Sequence, residues 1–462
     1  MSNKYQKSCN NAALNLSGKG EAQEVLNQGN EMPIASQYTE NLPDKSRLME
    51  AICSRENLRK ALKCVCRNKG APGIDGMTTE ELAPYLKEKW PIIKQQLLDG
   101  KYLLQPVKQV EIPKIGSKDT RKLGIPTVLD RFISQAILQI LQEKIDCTFS
   151  KYSYGFRPGK SAHKAISQAQ EYVAQGYRVV VDIDLEKFFN KVNHDKLMSE
   201  IAKRITDKRL LKLLRQFLTV GILENGLVTP SDQGMPQGNP LSPLLSNLML
   251  DLLDKELIKR GHKFCRYADD CNVYVHSVRA GQRVMSSITN FIEKKLKLKV
   301  NQTKSAVDKV FRRQFLGFSF TSSNKSPKIR ISPKSIKRFK DRVRKITLTG
   351  KATCMENVIG DVAKYSRGWL AYYGRCQTAR VLANLEAWTR RKIRCAYWRQ
   401  WKNGKNRFKQ LRKLGVDYDL AKQTAGTNKG AWRISSSPAL SMAFQNSYFI
   451  NLGIPKFICK SG

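Results

Sequence analysis

Two aspartates stand side by side in "CRYADDCNVYV", residues 265–275. Asp269 and Asp270 interrupt a run of apolar and aromatic residues that otherwise reads as buried strand. Adjacent like charges repel, and burying them is costly without a positive partner. The local chemistry allows two readings. Ala-Asp-Asp suits a tight turn between short strands at 264–267 and 272–275. The same tip also suits a divalent cation. A second acidic stretch, "VDIDLEKFFN", carries Asp182 and Asp184 after Val179, Val180 and Val181. Strand alternation puts both acids on one face, so periodicity does not choose between them. Carboxylates from two neighbouring strands are what an in-line displacement at a phosphate requires. Two metal ions about 4 Å apart activate the attacking oxygen and steady the leaving group.

The elements around these acids must position them. "QGMPQGNPLSPLLSNL" lies between the two acidic stretches. Gly234, Gly238, Pro236, Pro240 and Pro243 predict a rigid loop running into a helix, and glycine lets backbone approach a ligand closely. Upstream, "SRLMEAICSRENLRKALKCVCRNKG" has helical spacing and "GAPGIDGM" breaks it. Residues 102–125 alternate and predict a hairpin with Gly116-Ser117 at its turn. "LDRFISQAILQILQEKI" predicts an amphipathic helix, and further helices are expected over 195–219 and 281–297. Short strands run through "RRQFLGFSF". This mixture predicts an α+β sheet domain over about 100–320.

The chain has 462 residues, with 82 Lys and Arg against 39 Asp and Glu, a formal charge of +43. Such an excess needs a polyanion, and nucleic acid is the default partner. No run approaches about 18 apolar residues, and the N-terminal stretch lacks the apolar core of a signal peptide. A soluble intracellular protein without a membrane partner is expected. The 11 cysteines include no Cys-x-x-Cys pair, and no histidine follows His276. Zinc fingers and histidine-dependent nucleases are therefore not expected. Between Lys325 and Lys413 there are 26 Lys and Arg against Asp341, Glu356, Asp361 and Glu386, so this segment supplies half of the net charge. There "SPKSIKRFKDRVRKIT" places Ile336, Phe339, Val343 and Ile346 on one helical face. Lys337, Arg338, Arg342 and Arg344 surround that face, as expected of a surface that grips phosphates. Residues 1–45 are polar and aperiodic, and a flexible extension is expected.

The series "NKGAPGIDGM", "VEIPK…RKLGIPTVLDRFISQAI", "YSYGFRPGKSAHKAI", "VDIDLEKFFNKVNHDKL", "GMPQGNPLSPLLSNLML", "FCRYADDCNVYV", "KLKLKVNQTKS", "RRQFLGFSF" and "RGWLAYYGRC" resembles the reverse transcriptases encoded by bacterial group II introns, the intron maturases. The resemblance implies a right-hand polymerase, with fingers and palm over 46–325 built on antiparallel sheet. A basic helical thumb (the maturase X domain) over 326–400 and a small DNA-binding region over 401–462 would follow. It implies an RNA-directed DNA polymerase of the bacterial cytosol that also promotes splicing and mobility of its intron. Its implied partners are intron RNA, an RNA template, a DNA primer or target, and dNTPs. Two Mg²⁺ ions are implied, with Mn²⁺ as a substitute. They would be held by Asp184, Asp269 and Asp270, Asp182 being the alternative to Asp184. Asp184 is preferred because Phe189, five residues on, matches the aromatic that screens the sugar 2′-position. Lys114 and Arg121 resemble the fingers residues that grip the triphosphate. Gln237 and Gly238 resemble the loop that lines the nucleotide. Lys304 resembles the lysine that protonates pyrophosphate, and "FLGF" at 315–318 the primer grip. Where the family reads Gln-Gly-Gly, this chain has Gln237-Gly238-Asn239. Asparagine tolerates left-handed dihedrals, so the loop is expected to survive. A domesticated relative working in DNA repair or defence, and a splicing cofactor with an idle polymerase site, are the alternatives.

Overall fold

The computed structural model describes residues 47–113, 120–224, 227–229, 232–323, 326–349 and 354–458, with Arg121 and Thr349 described by backbone alone. The expected N-terminal extension, the turn at Gly116-Ser117, Lys114 and the Arg121 side chain lie outside the described residues. In chain order the strands are β1 (Val107–Pro113), β2 (Thr120–Ile125), β3 (Val179–Ile183), β4 (Ile222–Glu224), β5 (Leu227–Thr229), β6 (Lys263–Tyr267), β7 (Asp270–Val275), β8 (Ala306–Lys309), β9 (Phe318–Phe320) and β10 (Ile329–Ile331).

Both acidic stretches belong to one antiparallel sheet ordered β6-β7-β3-β8. Its central strand β3 carries a β-branched run whose alternate residues enter different cores. Val179, Val181 and Ile183 join the large core, while Val180 joins a smaller one with Tyr274, Cys265 and the helix Ala162–Ala174. β3 is thus covered on both faces, and an acid on it is dehydrated unless something positive meets it. The register pairs Asp182 with Asn272 and Ile183 with Cys271. The ladder ends there, with Asp184 following Ile183 and Asp270 preceding Cys271. A second sheet, ordered β2-β1-β4-β5, is built on the β1–β2 hairpin, which pairs Lys108 with Ile125 through to Pro113 with Thr120.

Five helices matter most for the site. They are α1 (Val128–Ile145), α2 (Ser242–Lys259), α3 (Pro333–Thr349), α4 (Met355–Tyr373) and α5 (Ala379–Gln400). The helix expected over 195–219 is two helices, His194–Ala202 and Lys208–Thr219. Asp207 separates them. It caps the second through Arg209 and Leu210, and its other carboxylate oxygen accepts the distant Met49 amide at 3.1 Å. The helix expected over 281–297 runs from Val278 to Phe291. It ends in a π turn, Ile292–Leu296, that Lys297 closes at φ +57°.

From residue 333 to 451 the described residues form helices and connecting turns. Phe339 and Val343 of α3 are buried and Ile336 and Ile346 half-buried, as the spacing predicts. A separate core unites α4 and α5 with residues as far as Ile454, crossing position 400 without a break. No helix among the described residues is long and apolar enough to cross a membrane.

Candidate active site

The β6–β7 hairpin closes with Tyr267 opposite Asp270, leaving Ala268 and Asp269 as the turn. Ala268 sits at φ +58°, a left-handed conformation that costs a residue with a Cβ about 1–2 kcal/mol. The turn exists, so the first of the two readings of Asp269-Asp270 is correct as geometry, and it presents the acids to β3. Burial pushes the Asp270 carboxyl up to about 8, and Asp182, Asp269 and Asp184 push in the same direction. Four carboxylates therefore crowd one end of the sheet.

The two β3 acids meet different partners. Asp182 Oδ2 accepts Nη2 and Nε of Arg313 at 2.5 and 3.0 Å. Burial nevertheless raises its carboxyl above the ordinary range, against the pull of that guanidinium. Asp184 lies just past the strand. Its backbone is held by Ser305 Oγ at 3.0 Å and the Asn301 amide at 2.8 Å. Its Oδ2 lies 3.6 Å from Lys304 Nζ. Lys304 is itself set by Asn301, whose Oδ1 accepts the amides of Thr303 and Lys304.

No three His, Cys, Asp or Glu side chains among the described residues form a preformed metal cage. The donor chemistry fits a hard cation all the same. All four groups are carboxylates, and burial and the neighbouring acids oppose a charge on Asp270, an opposition that a bound cation would relieve. Mg²⁺ commonly takes one or two carboxylates alongside substrate phosphates rather than a complete protein cage.

A cleft of about 190 Å³ between β2 and the Gly-rich loop is lined by Phe189, Asn190, Gln237, Pro236, Gly124 and Lys122, among others. Lys122, held by Glu224 at 2.9 Å, is a cleft cation that the motifs did not single out. The Gly-rich loop is tied down on both sides. The Met235 amide donates to Phe189 O at 2.6 Å, and His194 Nε2 meets Gly234 O at 2.6 Å. On the other side the Gly124 amide of β2 donates to Gln237 O at 2.7 Å. Gly238 has φ +126°, and a Cβ there would fall 2.3 Å from Gly124 O. Asn239 corrects the expectation. It does not use a left-handed backbone. It is buried, and its Oδ1 accepts the Leu241 amide at 2.9 Å, organising the start of α2. A glycine could not make that bond.

"FLGF" forms a narrow turn in which Phe315 and Phe318 exchange backbone bonds of 2.9 and 3.0 Å. Leu316 and Gly317 both have positive φ. Tyr372 of α4 donates to Leu316 O at 2.9 Å, and Tyr373 Oη would be 2.5 Å from a Cβ on Gly317. The tyrosines of "RGWLAYYGRC" thus dock this turn onto the helical half. On α3, Lys337, Arg338, Arg342 and Arg344 are all exposed. Arg344 differs from the other three. It pairs with Asp341 at 2.5 Å and lies over the Trp388 ring at 5.4 Å.

Fold and motif order define a polymerase-like protein of the reverse transcriptase class. The family described as reverse transcriptase (RNA-dependent DNA polymerase) matches residues 112–320, and the group II intron maturase-specific domain matches residues 336–415. The chain is 32% identical to Protein YkfC of Escherichia coli K12 over 304 residues, covering 57% of this chain and 80% of that protein. It is 37% identical over 199 residues to the group II intron-encoded protein LtrA of Lactococcus lactis subsp. cremoris, covering 43% of this chain but only 33% of LtrA. A chain of a partial Cas6-RT-Cas1–Cas2 complex aligns at 23% identity with a TM-score of 0.36, covering 54% of this chain and 43% of its own, a likeness too slight to carry weight. The protein belongs to the group II intron-encoded reverse transcriptases and maturases. Reverse transcription and support of intron splicing and mobility are the functions of that family.

Proposed function

We propose that this chain copies RNA into DNA by two-metal nucleotidyl transfer at Asp184, Asp269 and Asp270. The observation that carries the reading is the convergence of β3 and the β6–β7 turn, which crowds four carboxylates at one end of the sheet. When bound, Mg²⁺ or Mn²⁺ would neutralise charge on the triphosphate and sharpen the attacking 3′-hydroxyl. The protein's own groups orient and sort. Arg313 balances Asp182, which leaves Asp184 as the β3 acid facing the reaction. Lys304, fixed near Asp184 by Asn301, donates a proton to departing pyrophosphate. Phe189 closes the cleft against a 2′-hydroxyl, Gln237 and Gly238 seat the base and sugar, and Lys114 and Arg121 grip the phosphates. The primer end rests on the Leu316-Gly317 turn.

The basic helical half, 326–400, serves as thumb and binds intron RNA through Lys337, Arg338, Arg342 and neighbouring cations. Residues 401–462 face target DNA. The experiment is primer extension on an RNA template with dNTPs and Mg²⁺, alongside Asp269→Asn. The variant should lose several orders of magnitude in rate, keep its template affinity and still promote splicing of the intron. Near-normal extension by Asp269→Asn would overturn the assignment.

A further inference from the structure

Behind the Ala268-Asp269 turn lies a guanidinium with no contact with solvent. Arg266 of β6 and Asp254 of α2 are both 0% exposed and pair through Nε–Oδ1 at 2.7 Å and Nη2–Oδ2 at 2.6 Å. The remaining N–H groups are also used. Nη2 donates to Ser153 Oγ at 2.8 Å, and Nη1 donates to Asn247 Oδ1 at 3.0 Å and to Ala268 O at 2.9 Å. A guanidinium has five N–H donors, and here each has one acceptor. A buried ion pair does not stabilise a fold better than apolar packing of the same volume, so stability alone is a poor explanation of this network.

Its geometry points to the turn. Ala268 is the residue with the left-handed backbone, and its carbonyl is the one acceptor in the network that belongs to the hairpin tip. The other acceptors belong to α2 and to the segment "YSYGFRPG". That segment braces the turn from the opposite side. Its Tyr154 amide donates to Arg266 O at 2.8 Å, and Asn247 Nδ2 donates to Gly155 O at 2.9 Å. A Cβ on Gly155 would fall 2.3 Å from the Ala268 amide, so the bracing contact is backbone against backbone. Arg157, itself nearly buried, holds the Ser153 carbonyl at 3.0 Å and pairs with Asp146.

We infer that Arg266 is a positioning residue: by clamping the Ala268 carbonyl to Asp254, Asn247 and Ser153, it holds the strained turn that aims Asp269 and Asp270 at Asp184. The inference rests on the proposed role of those acids. Lysine keeps the charge but has three donors and no fork, so it cannot hold Asp254 and Ala268 together. Glycine at 268 accepts the left-handed backbone without strain and lets the turn relax.

The test uses the full chain as wild type, Arg266→Lys and Ala268→Gly. Mn²⁺ affinity is read by EPR on the protein with primer and template bound. Extension is measured against Mg²⁺ and dNTP, and melting and template affinity report the fold. Both variants should bind template normally, lose about tenfold or more in Mn²⁺ affinity and fall comparably in kcat, with KM for dNTP unchanged. Ala268→Gly should do so without a lower melting temperature, which a purely structural role would not allow. Wild-type Mn²⁺ affinity and kcat in a folded Arg266→Lys would overturn the inference. If Arg266→Lys does not fold, wild-type values in Ala268→Gly overturn it equally. Absence of extension by the wild type would instead remove the underlying reading of the acids.

Discussion

Gly238→Ala should weaken nucleotide capture, and the structure gives the size. At φ +126° a side chain is strained, which costs about 1–3 kcal/mol. The new Cβ would also lie 2.3 Å from Gly124 O, where an ordinary contact begins at 3.4 Å. The obstacle is backbone, so the loop and β2 must part by about 1 Å. That breaks the 2.7 Å bond from the Gly124 amide to Gln237 O, worth about 1 kcal/mol. The total, about 2–4 kcal/mol, corresponds to about 30-fold or more in kcat/KM for dNTP. Single-nucleotide incorporation on an RNA template, with dNTP varied, measures it. Gly415→Ala is the control: Gly415 also has positive φ, but a Cβ there meets nothing. It should lower the melting temperature and leave KM alone. The reasoning fails if Gly238→Ala keeps kcat/KM within about threefold of wild type, a change of under 1 kcal/mol.

Phe189→Val should relax rejection of ribonucleotides by about tenfold or more, read as the dNTP/rNTP ratio of kcat/KM; an unchanged ratio would place the sugar elsewhere. Replacing Lys337, Arg338 and Arg342 together by alanine should flatten log affinity for intron RNA against log salt by roughly 0.7–0.9 per lost phosphate contact. Arg344→Ala alone should change that slope little, because Arg344 already serves Asp341 and Trp388. Burial raises the Asp130 carboxyl above its ordinary 3.8, although Thr127, Tyr102 and Gln105 bond to it. The folded state therefore binds this proton more tightly than the unfolded chain. The contribution favours the fold at low pH and is lost as pH rises from 3.8 through the folded value. Asp130→Asn should lower stability throughout but remove that part of the slope, measured by melting between about pH 4 and pH 8.

The acids of the candidate site stood out in the sequence because acids inside apolar strands are rare and their order along the chain is informative. The valine run of β3, the Gly-rich loop and the Ala-Asp-Asp turn announce themselves by local pattern. What stayed hidden depends on partners far away in the chain. Arg266 reads as one basic residue in a strand, yet Asp254 and Ser153 decide its role. Arg313 sits 131 positions from the Asp182 it neutralises. Asn239 looked like a backbone substitute for glycine, but it works through its side chain. The break at Asp207 escaped notice because the helical pattern continues past it, and the reason for the break is the Met49 amide.

Phe457 packs edge-on against Phe339 of α3 at 5.8 Å, and its amide donates to Glu386 of α5 at 3.2 Å. During synthesis this imposes an order. The larger core under the sheet draws on residues up to about Val300 and can form early, while the smaller core on its other face needs residues up to Ile329. The core around α3 is completed only when Phe457 joins Phe339, Trp369 and Leu382 in it. Before that, α4 and α5 already cover most of the apolar face of α3 through Tyr365, Trp369, Leu382 and Leu385. The Leu316-Gly317 turn, which Tyr372 and Tyr373 of α4 hold, belongs to neither step alone, so the sheet end that carries the acids is completed only when the helical half docks on it.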